Sequence, residues 1–183
     1  MIHESHPWKT QLAKDADLIE RWAAKPRSSE RRSFLIEQKV FLAAYAMRKL
    51  DDATKLSTDL LASRMPVLRF PPVRDGYSVV DSHKFDEFFD LEKPEKVDLK
   101  RRRLLDVLIH SLVFVEMLGE TDVMEAFLVT SDQEQAKGLI QVDIATFVEL
   151  MRLASADYPK SVRFTLDAAS GRWGKWAGRG GGP

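Results

Sequence analysis

The sequence predicts an α+β fold: one helix-rich domain with a buried central helix at about 98–118 and a small antiparallel sheet in the C-terminal half. Three observations predict it. Much of the first half carries apolar residues at helical spacing. The run from Leu104 to Leu118 is apolar almost all round, as a helix buried on most sides would be. After Gly119 the pattern shortens to strand-like runs separated by polar turns. About half the residues are expected to be helical, above the usual third.

Taken in order, Pro7 behind Ser5 or His6 marks a helix start. Trp8, Leu12, Ala16, Ile19 and Ala23 share one face of that helix, with Lys14, Asp17, Glu20 and Arg21 outside it. Lys25, Pro26 and Arg27 end it. Ser28 or Ser29 with Glu30 opens a second helix, about 29–52, facing inward with Ile36, Val40, Ala43, Ala44, Met47 and Leu50. The two form a helical hairpin. Leu56 before Ser57, with Leu61 four residues beyond, makes a hydrophobic staple around a short helix at 58–63. Val67 to Phe70 reads as extended, and Pro71 with Pro72 bars helix. Asp75-Gly76 before Tyr77-Ser78-Val79-Val80 then suggests a small hairpin or a pair of edge strands. Asp81 or Ser82 caps a short helix with Phe85, Phe88 and Phe89 as an aromatic face, and residues 92–98 form a charged linker.

The central helix is justified by Asp98 as its cap and by Leu99, Leu104, Leu105, Leu108, Leu112, Val115 and Leu118 at helical spacing. Gly119 stands where a left-handed stop is expected. Its first turns are crowded by Lys100, Arg101, Arg102 and Arg103, where the helix dipole disfavours cations. Beyond it, strands at Glu125–Thr130 and Gly138–Val142 flank the polar connection 131–137. Asp143 caps a helix at about 144–156, Asp157-Tyr158-Pro159 stops it, and Val162, Phe164 and Leu166 alternate with Arg163 and Thr165 in a last strand. Residues 1–170 thus read as a single globular domain. Residues 171–183 read as a flexible tail, too rich in glycine to fold alone.

Twenty-eight basic and 28 acidic residues cancel, so no global field draws the chain to nucleic acid or to anionic lipid, and any such binding needs a local patch. The absence of cysteine excludes disulfides, thiolate catalysis and cysteine-held metals. The N-terminus lacks the regions of a signal peptide, and the longest apolar run carries Asp106 and His110 and is too short to span a bilayer. A cytoplasmic location without membrane attachment follows by default. His3 with His6 and Asp81 with His83 lack a third ligand, so no metal is expected, and no phosphate-loop, dinucleotide or nucleophile-elbow motif calls for a cofactor.

The candidate chemistry lies on one face of the central helix, where Arg103, Asp106 and His110 fall within about 60° of one another. An aspartate one turn before a histidine can fix its tautomer, and an arginine beside them can hold a phosphate. Arg103, six residues and then His110 resemble the Arg-x4-6-His signature of HEPN-type ribonucleases. That resemblance implies a helical fold with the motif at a dimer interface, His110 as general acid or base, Arg103 on the scissile phosphate, and Arg101 and Arg102 positioning RNA. The structural alternative is a buried His110 satisfied by Asp106, with Arg103 at the wetter end. A second set, Tyr45–Leu50, Ile109–Phe114, Ser131-Asp132 and Asp157-Tyr158-Pro159, resembles a family of short bacterial proteins of unknown function, which implies no activity.

Arg172, Lys175 and Arg179 alternate with Trp173 and Trp176 among glycines, a composition that can stack on single-stranded bases. Three functions follow. The first in rank is an interaction or regulatory protein without catalytic activity, with a protein partner or a second copy as its ligand. The others are a metal-independent ribonuclease using Arg103, Asp106 and His110, and nucleic-acid binding through Lys100–Arg103 and the tail.

Overall fold

A computed structural model gives the fold of the chain and describes residues 2–26, 29–168 and 170–180. The helical half comprises α1 (His6–Ala23), α2 (Glu30–Asp52) and α3 (Thr58–Ala62). The start of α2 is fixed by Ser29, whose side chain accepts the Arg32 N–H. Strand β1 (Arg64–Phe70) follows, then a 3₁₀ turn at Val79–Lys84, α4 (Phe85–Phe88), β2 (Glu95–Lys100), α5 (Arg101–Ile109) and β3 (Ser111–Leu118). The chain closes with β4 (Met124–Ser131), β5 (Leu139–Asp143), α6 (Ile144–Ala156), β6 (Ser161–Asp167) and β7 (Arg172–Gly178). Five strands form one antiparallel sheet in the order β2-β1-β5-β4-β3, and β6 with β7 makes a separate ribbon. The α+β class holds.

Period-two alternation assigns each strand residue to one of two cores. Met65, Val67, Phe127, Val129, Ile140 and Val142 face the helices, where they meet Leu12, Ile19, Ile36, Met47, Leu104, Leu108, Phe147 and Met151. Phe70, Leu128, Leu139 and Val113 face the other way, onto Tyr77, Phe88 and Phe89 of the segment that crosses that face. Tyr77 sets its ring edge-on to both phenylalanines and donates its hydroxyl to Ser82 O. Gly138, at the end of the β4–β5 connection, has φ +137°, and a Cβ there would lie 2.4 Å from Phe70 O, so the turn closes only with glycine.

The central helix expected at 98–118 is corrected. Residues 101–109 are helical, while 95–100 and 111–118 are strands. The charged stretch pairs with β1, Val97 opposite Val67 and Leu99 opposite Met65. Beyond His110, Leu112-Val113-Phe114-Val115 forms a strand whose Val113 and Phe114 pack on the two different cores. A strand half-buried on both faces reads as a continuous apolar run, which periodicity cannot separate from an all-round apolar helix. Gly119 serves the β3–β4 turn instead of a helix end, donating its N–H to Val123 O.

Three smaller expectations also change. Tyr77–Val80 does not pair with Val67–Phe70; β1 lies between β2 and β5 and has no place for a further partner. The sheet therefore draws two strands from before residue 101 and is not confined to the C-terminal half. The tail expected from residue 171 is a strand over Arg172–Gly178, each residue paired in register with β6, while residues 181–183 lie outside the described residues. Among the described residues no helix is long and apolar enough to cross a membrane.

Candidate functional site

Arg103 and Asp106 leave α5 one turn apart, and His110 stands just past its end. The three line one hollow of about 150 Å³ with Ser131, Asp132 and Gln133. Their partners differ from those expected. Arg103 gives its Nε and Nη2 to Glu134 Oε2 at 2.7 and 2.6 Å and reaches Gln133 as well. Asp106 accepts Arg48 Nε at 2.9 Å, not the His110 ring; the bond between Asp106 and His110 is backbone, His110 N–H to Asp106 O. His110 is exposed rather than buried. The hollow is about half the roughly 300 Å³ at which small-ligand pockets begin. A five-stranded sheet also departs from the helical fold that the ribonuclease resemblance implies.

The basic candidates divide. Arg102 is bound to Asp51, and Lys175 donates to Asp51 O at 2.6 Å. Arg179 Nε donates to Asp157 Oδ1 at 2.9 Å. These cations hold the fold together, β7 and α5 alike being tied to the end of α2. Among the described residues Arg101 and Arg172 have no such anchor: Arg101 makes one long bond, Nη1 to Leu60 O at 3.3 Å, and Arg172 sits exposed at the far end of the ribbon.

Asp157 organises the side of the molecule where α1, α3, α6 and β7 meet. Its carboxylate, 2 % exposed, accepts Ser57 N–H at 2.5 Å on Oδ2, and Ser57 Oγ–H at 2.7 Å beside Arg179 on Oδ1. Its carbonyl accepts from Lys9 Nζ, which also lies 3.9 Å from the centre of the Tyr158 ring. Lys9 is 1 % exposed on the inward face of α1. The inward stripe of α1 begins at Lys9 rather than at the expected Trp8, which is 40 % exposed, because position 9 shares the helical face of Leu12, Ala16, Ile19 and Ala23.

Burial lowers the Lys9 ammonium from 10.5 to about 8, with Asp157 opposing and Arg179 and Lys55 adding to the shift. Between pH 8 and 10.5 the unfolded chain keeps a proton that the folded chain has released, so stability rises with pH across that window. Raising the pH from 7 to 9.5 is expected to add about 2 kcal/mol to the wild type through this group. Urea midpoints at the two pH values check it, with Lys9→Met lacking this increment.

Beside Asp157 opens a groove of about 810 Å³, between α3, the first residue of α5, the end of α6 and the end of β7. Trp176 and Arg179 form its β7 side, and Ser63, Leu60 and Arg101 line it from the body.

On the ribbon, cross-strand register puts Leu166 opposite Trp173 and Val162 opposite Ala177, so Val162, Phe164, Leu166 and Trp173 share one face. They are 45 %, 59 %, 50 % and 67 % exposed, an apolar patch left in water. Ala177 N–H donates to Thr58 Oγ1, which turns the outer edge of β7 toward the body, so the outer edge of β6 points away from it. No protein-family model, no curated protein and no solved structure matches the chain.

Proposed function

We propose that this chain is a non-catalytic interaction protein that docks through the β6–β7 ribbon, with a second copy of itself as the occupant. The observation that carries the reading is β6: every one of its residues is exposed, its outer edge pairs with no other strand among the described residues, and its apolar residues alternate with polar ones. Such an edge is a template for another strand unless the fold blunts it. Two-stranded ribbons are marginal alone, and adding strands across a free edge gives them a stable sheet.

The sequence of β6 favours its own copy. Paired antiparallel about Phe164, Val162 opposes Leu166, Arg163 opposes Thr165, and Ser161 opposes Asp167. No like charges meet, the two Phe164 rings lie side by side, and a four-stranded sheet results. Lys175 and Arg179 are bound to Asp51 and Asp157, and the alternating Val162, Phe164 and Leu166 along a strand edge fit a protein strand better than single-stranded nucleic acid.

Light scattering over the micromolar range tests this. The wild type should run as a dimer, and Phe164→Glu, which puts two carboxylates at the centre of the pairing, should raise the dissociation constant by about a hundredfold or more with unchanged circular dichroism. A wild type that stays monomeric, a variant that dimerises equally well, or a wild type that gains mass only with added single-stranded RNA would overturn it.

A further inference from the structure

We propose that the groove between the ribbon and the body is a binding site for a nucleoside monophosphate. Its size comes first: about 810 Å³ lies within the range of roughly 300–1,000 Å³ typical of small-molecule sites. Its walls come from different parts of the chain, β7 on one side and α3, α5 and α6 on the other, so the shape exists only in the folded molecule.

The chemistry of the lining narrows the class. Of the consecutive arginines 101–103, Arg102 holds Asp51 and Arg103 holds Glu134, while Arg101 forms no ion pair among the described residues and lines the groove. A guanidinium presents a planar fork of donors that fits phosphate in two-point contact. Arg101 is also the first residue of α5, whose first turn has neither a side-chain cap nor an acidic residue, so the positive end of that helix adds to the same potential. Half-buried Trp176 supplies a flat aromatic wall for a base. Asp59, exposed on the lining, supplies an acceptor for sugar hydroxyls. Asp157, the other lining carboxylate, is satisfied by Ser57 and Arg179 and does not repel the phosphate as a bare charge would. A cation with no ion-pair partner among the described residues, an aromatic wall and an exposed acceptor match phosphate, base and ribose.

The site uses none of the exposed ribbon face, so it stands or falls apart from dimerisation. The test is calorimetric titration of the full chain with the four nucleoside monophosphates, with adenosine and inorganic phosphate as separate arms, repeated in Phe164→Glu. At least one monophosphate should bind in the micromolar to low millimolar range and raise the melting temperature, with Phe164→Glu unchanged. Adenosine and inorganic phosphate should each bind at least about tenfold more weakly than the best nucleotide. Arg101→Gln and Trp176→Leu should weaken binding about tenfold or more, Arg101→Lys should recover part of it, and Arg31→Gln, on the far α2, should match the wild type. Absence of binding by all four, equal binding of inorganic phosphate, or an Arg101→Gln variant that binds as well as the wild type would overturn the proposal.

Discussion

Asp157→Ala is expected to destabilise the protein by about 3–5 kcal/mol, the range for removing one partner of a buried charge cluster. The loss has separable parts. Ser57 would keep a buried N–H and hydroxyl with no acceptor, at about 1–3 kcal/mol. Lys9 would lose the one charge that opposes its desolvation, and Arg179 its hold on the end of β7. Asp157→Asn should cost less, since the amide oxygen can still accept from Ser57. Its cost should also shrink from pH 7 to pH 9.5, where Lys9 is mostly neutral and no longer needs a counter-charge. Urea unfolding of both variants at the two pH values separates the hydrogen-bond loss from the charge loss.

Glu134→Ala is expected to have an effect of the same size, about 3–5 kcal/mol, for a related reason. The carboxylate is 1 % exposed and accepts Arg69 Nη2 at 2.8 Å and Arg103 through two nitrogens, with Lys137 3.6 Å away. Its place in the β4–β5 connection is set by backbone bonds from Glu134 N–H to Ser131 O and from Gly138 N–H to Glu134 O. Removing it leaves two half-buried guanidiniums facing one another without an anion and frees the β4–β5 loop from Arg69 of β1 and Arg103 of α5. Arg103→Gln should cost less than Glu134→Ala, because Arg69 and Lys137 still neutralise the carboxylate. Thermal or urea unfolding of the two variants side by side gives the order. The same ion pair engages Arg103 through its Nε and Nη2.

Helices α2 and α6 were legible because each buries one stripe against one layer, and the apolar period survives in the sequence: Ile36, Val40, Met47 and Leu50 in one, Phe147, Val148, Met151 and Ala154 in the other. The stretch 98–118 was not, because β3 packs on both faces of the sheet and so carries no alternation. Strand β7 was hidden by composition: its glycines signal a tail, and only the register with β6 gives Arg172–Gly178 a partner for each residue. The hollow of Arg103, Asp106 and His110 could be anticipated from helical spacing, but Arg48 and Glu134, which hold its first two members, come from 58 and 31 residues away. The Asp157 cluster joins residues 100 and 148 positions apart. No local pattern marks such contacts; they arise only when α1, α3 and α6 pack.

The most direct measurement of the ribbon as a self-docking edge exploits the natural absence of cysteine. Pairing about Phe164 brings the two copies of residue 164 opposite each other, with Cα atoms about 4.5–5.5 Å apart, within disulfide range, and leaves the two copies of residue 162 about 14 Å apart. Under mild oxidation, Phe164→Cys should become a covalent dimer. Val162→Cys should stay uncrosslinked by itself but crosslink when mixed with Leu166→Cys, which it faces across the pair. Crosslinking of Val162→Cys to itself as readily as Phe164→Cys, or of neither Phe164→Cys nor the Val162→Cys and Leu166→Cys mixture, would contradict it.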